Sequence, residues 1–357
     1  MKAPNNSIGG SNPLKPYRGF LLAVIPAAIG GAIWSWFGLP LAWLMGAALI
    51  TGLLCFNGLI VELPKFLYWP SLAVIGAGVG LTITPSVALQ IALWFPLMAI
   101  MGFAGVILAA FATPFVARKG AMENSTAFFA LMPGGVIEMA NIGEHHGADR
   151  TTIAALHAIR VALVVGILPL GLYITYPQTG PAAEVVILDL VPLVLVVAVA
   201  LLGGWIGKIT NLPAAWLLGA LIAVAILTAT GAVDGQIPYA LVAIAQVIVG
   251  MSLGAKFQRD RLRKIPQAIA AGTPALLAII CMMAILGILI STFLPMDAPT
   301  MILALSIGGL AEMVLTARYL ELDMAMVAAF QAIRAVLVNS FAGLIWSKIS
   351  KRLQNRS

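Results

Sequence analysis

The stretch Pro133-Gly134-Gly135-Val136-Ile137-Glu138-Met139 decides how this 357-residue chain folds, because a copy of it occurs later in the sequence. The copy reads Ile307-Gly308-Gly309-Leu310-Ala311-Glu312-Met313 and lies 174 residues further on. Apolar residues coincide by chance in any two apolar segments, whereas a Gly pair followed by Glu at one fixed spacing does not. The stretch therefore predicts that the chain is an internal duplication.

Other pairs at this spacing extend the duplication over most of the chain. The segment Leu39-Pro40-Leu41-Ala42-Trp43-Leu44 matches Leu212-Pro213-Ala214-Ala215-Trp216-Leu217, 173 residues later. Two further pairs are charged: Asp149 with Asp323, and Arg160 with Arg334. Each Asp precedes an apolar segment, which predicts that it caps a helix.

The composition assigns the chain to the membrane. Hydrophobic residues make up 61% of the sequence and charged residues 9%, which is too little polar surface for a water-soluble fold. Cys55 and Cys281 lie in apolar runs and fit neither a disulfide framework nor a metal site. The sequence therefore excludes a soluble enzyme, a disulfide scaffold and a nucleic-acid-binding module. The net charge of +7 is attributed to cytoplasmic loops.

Twelve apolar segments divide into two sets of six, separated by a polar linker. The predicted organisation is a cytoplasmic N-terminal segment (1–18), a first membrane repeat (19–175), the linker (176–189), a second membrane repeat (190–347) and a cytoplasmic tail (348–357).

Loop charge orients the two halves. In the first half the loop after the fourth segment contains Arg118 and Lys119, and the loop before that segment has no basic residue. In the second half the basic residues follow the third segment, between Lys256 and Lys264. Because basic loops face the cytoplasm, equivalent loops lie on opposite sides of the membrane. The repeats are therefore predicted to be inverted.

Inversion requires an odd number of crossings in each half, although each half has six segments. We assign the exceptions to 124–142 and 300–317, which are short and contain the Gly pairs. A Gly pair opens backbone groups that lipid cannot satisfy, so such a break must line a protein interior or a cavity. The predicted fold is an all-α polytopic membrane protein with two inverted-topology repeats, about ten transmembrane helices and two broken or re-entrant elements.

Interrupted helices at matching positions of inverted repeats indicate secondary transport, with the binding site near the membrane midplane. A half-helix that begins at a glycine turn presents unpaired N–H groups and a partial positive charge, which suit an anion. The candidate binding glycines are Gly134, Gly135, Gly308 and Gly309.

Two carboxylates and two guanidinium groups are further candidates. Glu138 and Glu312 lie one turn into the half-helices. They either bind the coupling ion or the substrate, or they compensate the helix dipole and pair with an arginine. Arg160 and Arg334 lie deep in apolar segments, where they either clamp an anionic substrate or form ion pairs with the two glutamates.

Three more residues complete the candidate set. Thr82 and Ser252 accompany Gly-rich third segments. Their hydroxyls either line the pathway, or the glycines only allow close helix packing. His157 precedes Arg160 by one turn, and a neutral hydrogen-bonded ring is favoured over a titrating gate.

At these motifs the sequence resembles a known family. The repeated Leu-Pro-x-Ala-Trp-Leu-x-Gly, the stretch from Pro133 to Met139, and Ala158-Ile159-Arg160 with its copy look like the bacterial AbrB-type membrane protein family. This duplicated polytopic family is unrelated to the DNA-binding regulator that shares its name. The resemblance covers about residues 18–350, and the second copy departs from the first at Ile307 and Gln331.

The resemblance has functional implications. Members of the family are often labelled as ammonia monooxygenases, and one is described as affecting the expression of another gene. The family is also similar to the cation:proton antiporter and anion transporter group. That similarity implies a transporter in the bacterial inner membrane.

The leading hypothesis is a secondary transporter that moves a small anionic organic solute across the bacterial inner membrane, coupled to H⁺ or Na⁺. The alternatives are a membrane protein that regulates gene expression through a partner or a solute level, and a channel. Ammonia monooxygenase chemistry is disfavoured because it needs a metal held by several ligands, and the chain has only three His residues.

We expect no enzymatic activity, no cofactor, no metal and no nucleic-acid partner. The lipid bilayer and further copies of the chain in a homo-oligomer are the other expected partners. Both termini are expected to be cytoplasmic.

Overall fold

The computed structural model describes residues 17–176, 187–259 and 263–354, and these residues form fourteen helices. The first half contains α1 (Arg18–Trp36), α2 (Ala42–Phe56), α3 (Lys65–Gly80), α4 (Pro85–Lys119), α5 (Asn124–Leu131), α6 (Val136–His145) and α7 (Arg150–Thr175). The second half contains α8 (Leu190–Ile209), α9 (Ala215–Ala229), α10 (Tyr239–Gly254), α11 (Pro266–Ser291), α12 (Ala298–Leu305), α13 (Leu310–Tyr319) and α14 (Met324–Gln354). Each helix of the first half therefore has its counterpart seven helices later.

The helices confirm a polytopic α-helical membrane protein. Six helices, α1, α4, α7, α8, α11 and α14, are long and apolar enough to cross a membrane. The other four proposed crossings, α2, α3, α9 and α10, have only 15 or 16 residues. At 1.5 Å per residue they extend about 23 Å, less than the ~30 Å hydrocarbon core. The count of ten crossings stays a prediction.

The helices group into two bundles. The platform bundle consists of α1–α3 and α8–α10, and the hairpin bundle consists of α4–α7 and α11–α14. In the platform bundle, α2 packs closely on α10 and α3 packs closely on α9, so each half contacts the other. In the hairpin bundle, α4 packs on α14 and α7 packs on α11 in the same exchanged way. A pseudo-two-fold relation therefore links the halves in both bundles.

Glycines set the close approach within the platform bundle. A Cβ built on Gly76 of α3 would overlap the carbonyl oxygen of Leu217 in α9. A Cβ on Gly250 of α10 would overlap the carbonyl oxygen of Leu44 in α2. These two contacts are equivalent positions of the duplication. Without a hydrophobic effect between helices in lipid, such close backbone packing holds the bundle together.

The direction of the platform helices shows that the repeats are inverted. Helices α2 and α10 run parallel, because Trp43 Nε1 donates to the Tyr239 hydroxyl at their starts (2.8 Å) and Gly52 meets Gly254 at their ends. Helix α3 runs antiparallel to α10, because Leu67 and Tyr68 near its start pack in one hydrophobic cluster with Met251 near the end of α10.

Helix α9 runs parallel to α3. The rings of Trp69 and Trp216 stack at the starts of these helices, with a centroid distance of 5.2 Å. At their ends a Cβ on Gly80 would lie 2.8 Å from the Leu221 carbonyl oxygen. The counterparts α2 and α9 therefore point in opposite directions, which confirms the inversion predicted from loop charge.

The segments 124–142 and 300–317 are broken, as predicted, and the first folds back as a hairpin. Asp149 N, after α6, donates to Thr126 Oγ1, at the start of α5, over 2.9 Å. The Phe129 ring of α5 stacks on the His146 ring beyond α6, with centroids 5.8 Å apart. The chain therefore enters and leaves on the same side. Helices α12 and α13 repeat this arrangement with equal helix lengths.

The tips of the two hairpins meet at the middle of α4. A Cβ on Gly105 would lie 3.1 Å from the Pro133 ring of the first hairpin and 3.6 Å from the Ile307 side chain of the second. Two breaks that enter from opposite ends are thus brought to one buried point, as inverted repeats require.

The predicted domain limits stay a prediction, and one of them differs from a helix boundary. Helix α14 continues to Gln354, beyond the predicted end at 347, and the basic residues of the predicted tail suit a helix C-terminus. Most of the N-terminal segment and 177–186 of the linker lie outside the described residues. The predicted Asp caps are present, since Asp149 accepts from Thr152 N at 2.9 Å and Asp323 accepts from Met326 N at 2.9 Å.

The glycine packing gives the first testable prediction. Gly76→Ala forces a methyl group against the Leu217 carbonyl, and such overpacking costs about 1–3 kcal/mol of stability. The matched control is Gly171→Ala in α7, where no atom lies within 4 Å of the added Cβ. Thermal unfolding in detergent should show a lower midpoint for Gly76→Ala and an unchanged or higher one for Gly171→Ala. Equal midpoints would contradict the packing account.

Candidate functional site

Two buried arginines hold the breaks of the two hairpins. Arg160 of α7 has 2% of its surface exposed and donates to the carbonyl oxygens of Met132 and Gly134, the latter at 3.0 Å. Arg334 of α14 has 6% exposed and donates to the carbonyls of Ser306 and Gly308, the latter at 3.1 Å. These carbonyls have no partner within the short helices α5 and α12, whose C-terminal ends also favour a positive charge.

This geometry corrects the predicted ion pairs between each arginine and the glutamate of its own half. The described residues contain one salt bridge, Arg150–Glu144 at 3.1 Å, and both of its side chains are more than half exposed. The guanidinium groups are instead turned toward the backbone carbonyls at the breaks. An arginine offers five donors in a planar fork, which suits two adjacent carbonyls as well as one carboxylate.

The glutamates lie at the other side of each break. Glu138 and Glu312 occupy the first turns of α6 and α13, and both are half-buried. Each carboxylate folds back over the glycine at its helix start, so a Cβ on Gly135 or Gly309 would collide with it. A carboxylate there interacts favourably with the helix dipole. This placement agrees with the compensating role and leaves one carboxylate oxygen for another partner.

The two halves meet at the centre of the molecule. Gly105 of α4 lies beside Pro133 and Ile307, and Gly308 of the second break packs against Val164 of α7, one turn after Arg160. The predicted glycines, glutamates and arginines therefore cluster at the two hairpin tips.

His157 and Gln331 occupy equivalent positions and form hydrogen bonds to equivalent parts of the two hairpins. His157 is fully buried, and its Nε2 lies 2.9 Å from the Phe129 carbonyl oxygen, so this nitrogen donates. Gln331 Nε2 donates to the carbonyls of Leu303 at 2.8 Å and Ser306 at 3.0 Å. Each side chain therefore ties α7 or α14 to the first helix of its hairpin, without requiring a charged ring.

The two predicted hydroxyl residues lie apart. Thr82 is half-buried beyond the end of α3, and its hydroxyl donates to the Val79 carbonyl at 2.7 Å. None of its described hydrogen bonds reaches the hairpins. Ser252 is half-buried near the end of α10. Thr82 follows the antiparallel helix α3 and therefore lies at the other end of the molecule.

Sequence reasoning missed the specific role of Lys256. It counted this residue only among the basic loop charges, but Lys256 lies in one crevice with Val136, the first residue of α6. The signal was present in the duplication, since Lys256 stands at the position equivalent to Thr82, just past a Gly-rich helix. A long side chain at a helix end can reach back toward the midplane.

A crevice leads from one end of the molecule to the first hairpin. It has a volume of about 530 Å³, and its lining includes Val136, Arg150, Thr151, Lys256 and Lys264. This end also holds Lys65, Arg118, Lys119 and Lys208, so we call it the basic end.

The opposite end holds a smaller cavity of about 310 Å³ beside the end of the second hairpin, and no residue of the second break lines it. The Tyr319 hydroxyl, at the end of α13, donates to the Gly38 carbonyl at 3.1 Å. The Arg318 Nη1 atom would lie 3.4 Å from a Cβ on Gly78 of α3. Helix α13 packs on α3, whereas the equivalent pair α6 and α10 has no comparable packing, and the crevice opens between them. The two hairpins are therefore not equally exposed.

Metal binding has no obvious place in this arrangement. Within the described residues, no group of three His, Cys, Asp or Glu side chains converges in a way that could hold a metal ion. His145 and His146 lie at the basic end, beyond the first hairpin.

Inverted halves, two re-entrant hairpins and a central cluster of charges define a polytopic membrane protein of the inverted-repeat, broken-helix class. The chain belongs to the AbrB family: the family model described as "Transition state regulatory protein AbrB" matches residues 43–350.

Two relatives are similar over most of their length. One is AbrB of Escherichia coli (strain K12), whose name carries a proposed regulatory role; it is 27% identical over 307 residues, covering 83% of this chain and 86% of the relative. The other is YhjN of Bacillus subtilis (strain 168), named as uncharacterized, 27% identical over 345 residues and covering 87% and 88% of the two chains.

The arginine contacts can be tested by substitution. Arg160→Gln leaves the carbonyls at the break without their donors, and each unsatisfied buried group costs about 1–3 kcal/mol. We expect a lower unfolding temperature and faster proteolysis in the first hairpin, with partial recovery in Arg160→Lys. The control Arg150→Gln removes only the exposed pair, worth at most about 1 kcal/mol. An Arg160→Gln protein as stable as the wild type would contradict the structural role.

Proposed function

We propose that the protein is a secondary transporter of a small organic anion in the bacterial inner membrane, coupled to H⁺ or Na⁺. The observation that supports this proposal best is an asymmetry between the two halves. The hairpin bundle packs against the platform bundle in a different register in the first half and in the second. Such asymmetry in an inverted repeat implies a second arrangement, in which the relations are exchanged and the other end is open.

Two apolar grooves between the bundles show the asymmetry. The first has a volume of about 370 Å³ and is lined in part by Ala48, Leu49, Gly52, Leu53 and Phe56 of α2. The second has about 410 Å³ and is lined by the five equivalent residues of α9, namely Leu221, Ile222, Ala225, Ile226 and Ala229. The platform bundle therefore contributes the same surface to both grooves.

The hairpin bundle contributes different surfaces. Helix α7 lines the first groove with Ala162, Val165 and Gly166. Helix α14 lines the second with residues between Ala325 and Ile333, which are equivalent to 151–159 of α7. Relative to the platform, the two helices thus differ by about two and a half turns, or about 13 Å. Sliding the hairpin bundle by that distance would exchange the two grooves and move the central cluster between the two ends.

The central charges favour an anionic substrate. Arg160 and Arg334 at the breaks and Lys256 in the crevice supply three positive charges, and among the described residues Glu138 and Glu312 are the carboxylates at the hairpin breaks. A substrate carboxylate compensates the excess charge in a poorly solvated site. The glutamates supply the groups for coupling, because each can bind H⁺ or ligate Na⁺ when the substrate competes for its cationic neighbours.

The basic end is proposed to be cytoplasmic, following the preference of Lys and Arg for that side. The described C-terminal helix α14 ends there, and the N-terminus is proposed to share that side. The structure would then be open to the cytoplasm. A regulatory role, acting through a partner or through the solute level, is the second candidate, and the name of the Escherichia coli relative is the observation that favours it.

Flux through reconstituted liposomes tests the proposal. Labelled short carboxylates should enter by a saturable process, accumulate against a gradient of H⁺ or Na⁺, and exchange with unlabelled solute inside. Glu138→Gln and Glu312→Gln should lose gradient-driven accumulation by at least tenfold while retaining exchange. Glu144→Gln, at the exposed salt bridge, is the matched control and should transport normally.

The alternative classes predict different results. A channel would give flux that does not saturate and no exchange. A sensor would give no flux with any solute and would need a partner protein. Either outcome would overturn the transporter proposal, and normal accumulation in both Gln variants would remove the coupling role from the glutamates.

A further inference from the structure

The crevice at the basic end has an unusual charge balance. Three of its lining residues are cationic, namely Arg150, Lys256 and Lys264, and among the described residues no carboxylate lines it. Arg150 is engaged by Glu144 at 3.1 Å. Lys256 and Lys264 remain with no salt bridge to a described residue.

The crevice reaches the break of the first hairpin. Val136, which lines it, is the first residue of α6, and the N–H groups of that turn have no partner within the helix. Lys256 also lies within electrostatic reach of Arg160, which holds the same break. A bound anion could therefore contact the Lys256 ammonium and the start of α6 together.

The remaining walls define the size and character of the ligand. Thr151 contributes a hydroxyl group, and Ala154 and Ala155 contribute a small apolar surface. A volume near 530 Å³ falls in the range of small-molecule sites. The lining suits a small organic molecule with a carboxylate at one end and a short apolar body.

We propose that Lys256 is the recognition residue of an anion site in this crevice, which receives the carboxylate of the substrate on the cytoplasmic side. The proposal rests on the proposed function, because it names the site from which the transported anion is taken up or released. In the empty site the Glu312 carboxylate attracts the Lys256 ammonium. The substrate carboxylate replaces that attraction, so Glu312 competes with the substrate for Lys256.

The platform bundle explains why this residue suits the task. Lys256 directly follows α10, whose close packing on α2 fixes the position of its backbone. Val136 and Thr151, which line the same crevice, belong to the hairpin bundle, so the crevice spans the boundary between the two bundles. An anion at Lys256 is therefore sensitive to the relative position of the bundles, as a transported substrate must be.

Binding to the purified full chain in detergent tests the site without requiring transport. The probes are acetate, butyrate, succinate and methanesulfonate, each compared with chloride at the same ionic strength. Two readouts are taken: the shift of the unfolding temperature with probe concentration, and protection of each lysine from an amine-reactive reagent, measured by mass spectrometry. Lys119, exposed at the end of α4, is the internal reference.

We expect at least one carboxylate to stabilise the protein and to protect Lys256 more than Lys119. The variant Lys256→Gln should bind that probe at least tenfold more weakly, Lys256→Arg should retain most of the affinity, and the matched control Lys119→Gln should bind as the wild type does. Glu312→Gln should bind the probe more tightly, because the competitor has lost its charge.

Three results would overturn the site: wild-type affinity in Lys256→Gln, equal protection of Lys256 and Lys119, or no stabilisation by any probe. The flux assay separates this failure from that of the proposed function. Saturable flux that is unchanged in Lys256→Gln would leave the transporter standing and remove this site. Binding that depends on Lys256 without any flux would leave the site standing and remove the transporter.

Discussion

The structure depends on the hydrogen bonds that Arg160 and Arg334 donate to the backbone at the two helix breaks. A bilayer cannot satisfy the free carbonyls of an interrupted helix, so every break needs a partner inside the protein. Each guanidinium supplies that partner and also places a permanent positive charge beside the break. The same interaction thus stabilises the hairpins and, in the proposed transporter, favours an anion at the centre.

The duplication gives the protein two such breaks, which the proposed transport cycle would use in alternation. Both breaks have the same partners, Arg160 with Gly134 and Arg334 with Gly308, yet only the first is reached by the crevice. The glycine contacts allow close backbone packing within the platform bundle, and apolar grooves form much of the surface between the bundles. One hydrogen bond between the bundles joins the Tyr319 hydroxyl to the Gly38 carbonyl, and the proposed sliding of the hairpin bundle would have to break it.

The repeated sequence was sufficient to predict the inversion and the re-entrant segments 124–142 and 300–317, because Gly pairs and loop charges are local signals. It did not predict the partners of Arg160, because a guanidinium binds backbone carbonyls and carboxylates alike. The sequence does not show which of these acceptors lies within its reach. The sequence did not predict the position of Lys256 in the crevice, because that position depends on how far a loop side chain extends toward the hairpins. The sequence does not predict the offset between α7 and α14, because either of two similar repeats can pack against the platform bundle in either register.

The central claim is that the hairpin bundle slides along the platform, and cross-linking across the first groove tests it most directly. With Cys55 and Cys281 replaced by Ser, one protein contains Leu49→Cys with Ala162→Cys and a second contains Leu49→Cys with Ala155→Cys. Leu49 and Ala162 both line the first groove. Leu49 and Ala155 are equivalent to Ile222 and Ala329, which both line the second groove. The account predicts that both pairs cross-link and that either cross-link stops flux. Cross-linking of the first pair alone, with flux intact, would contradict it.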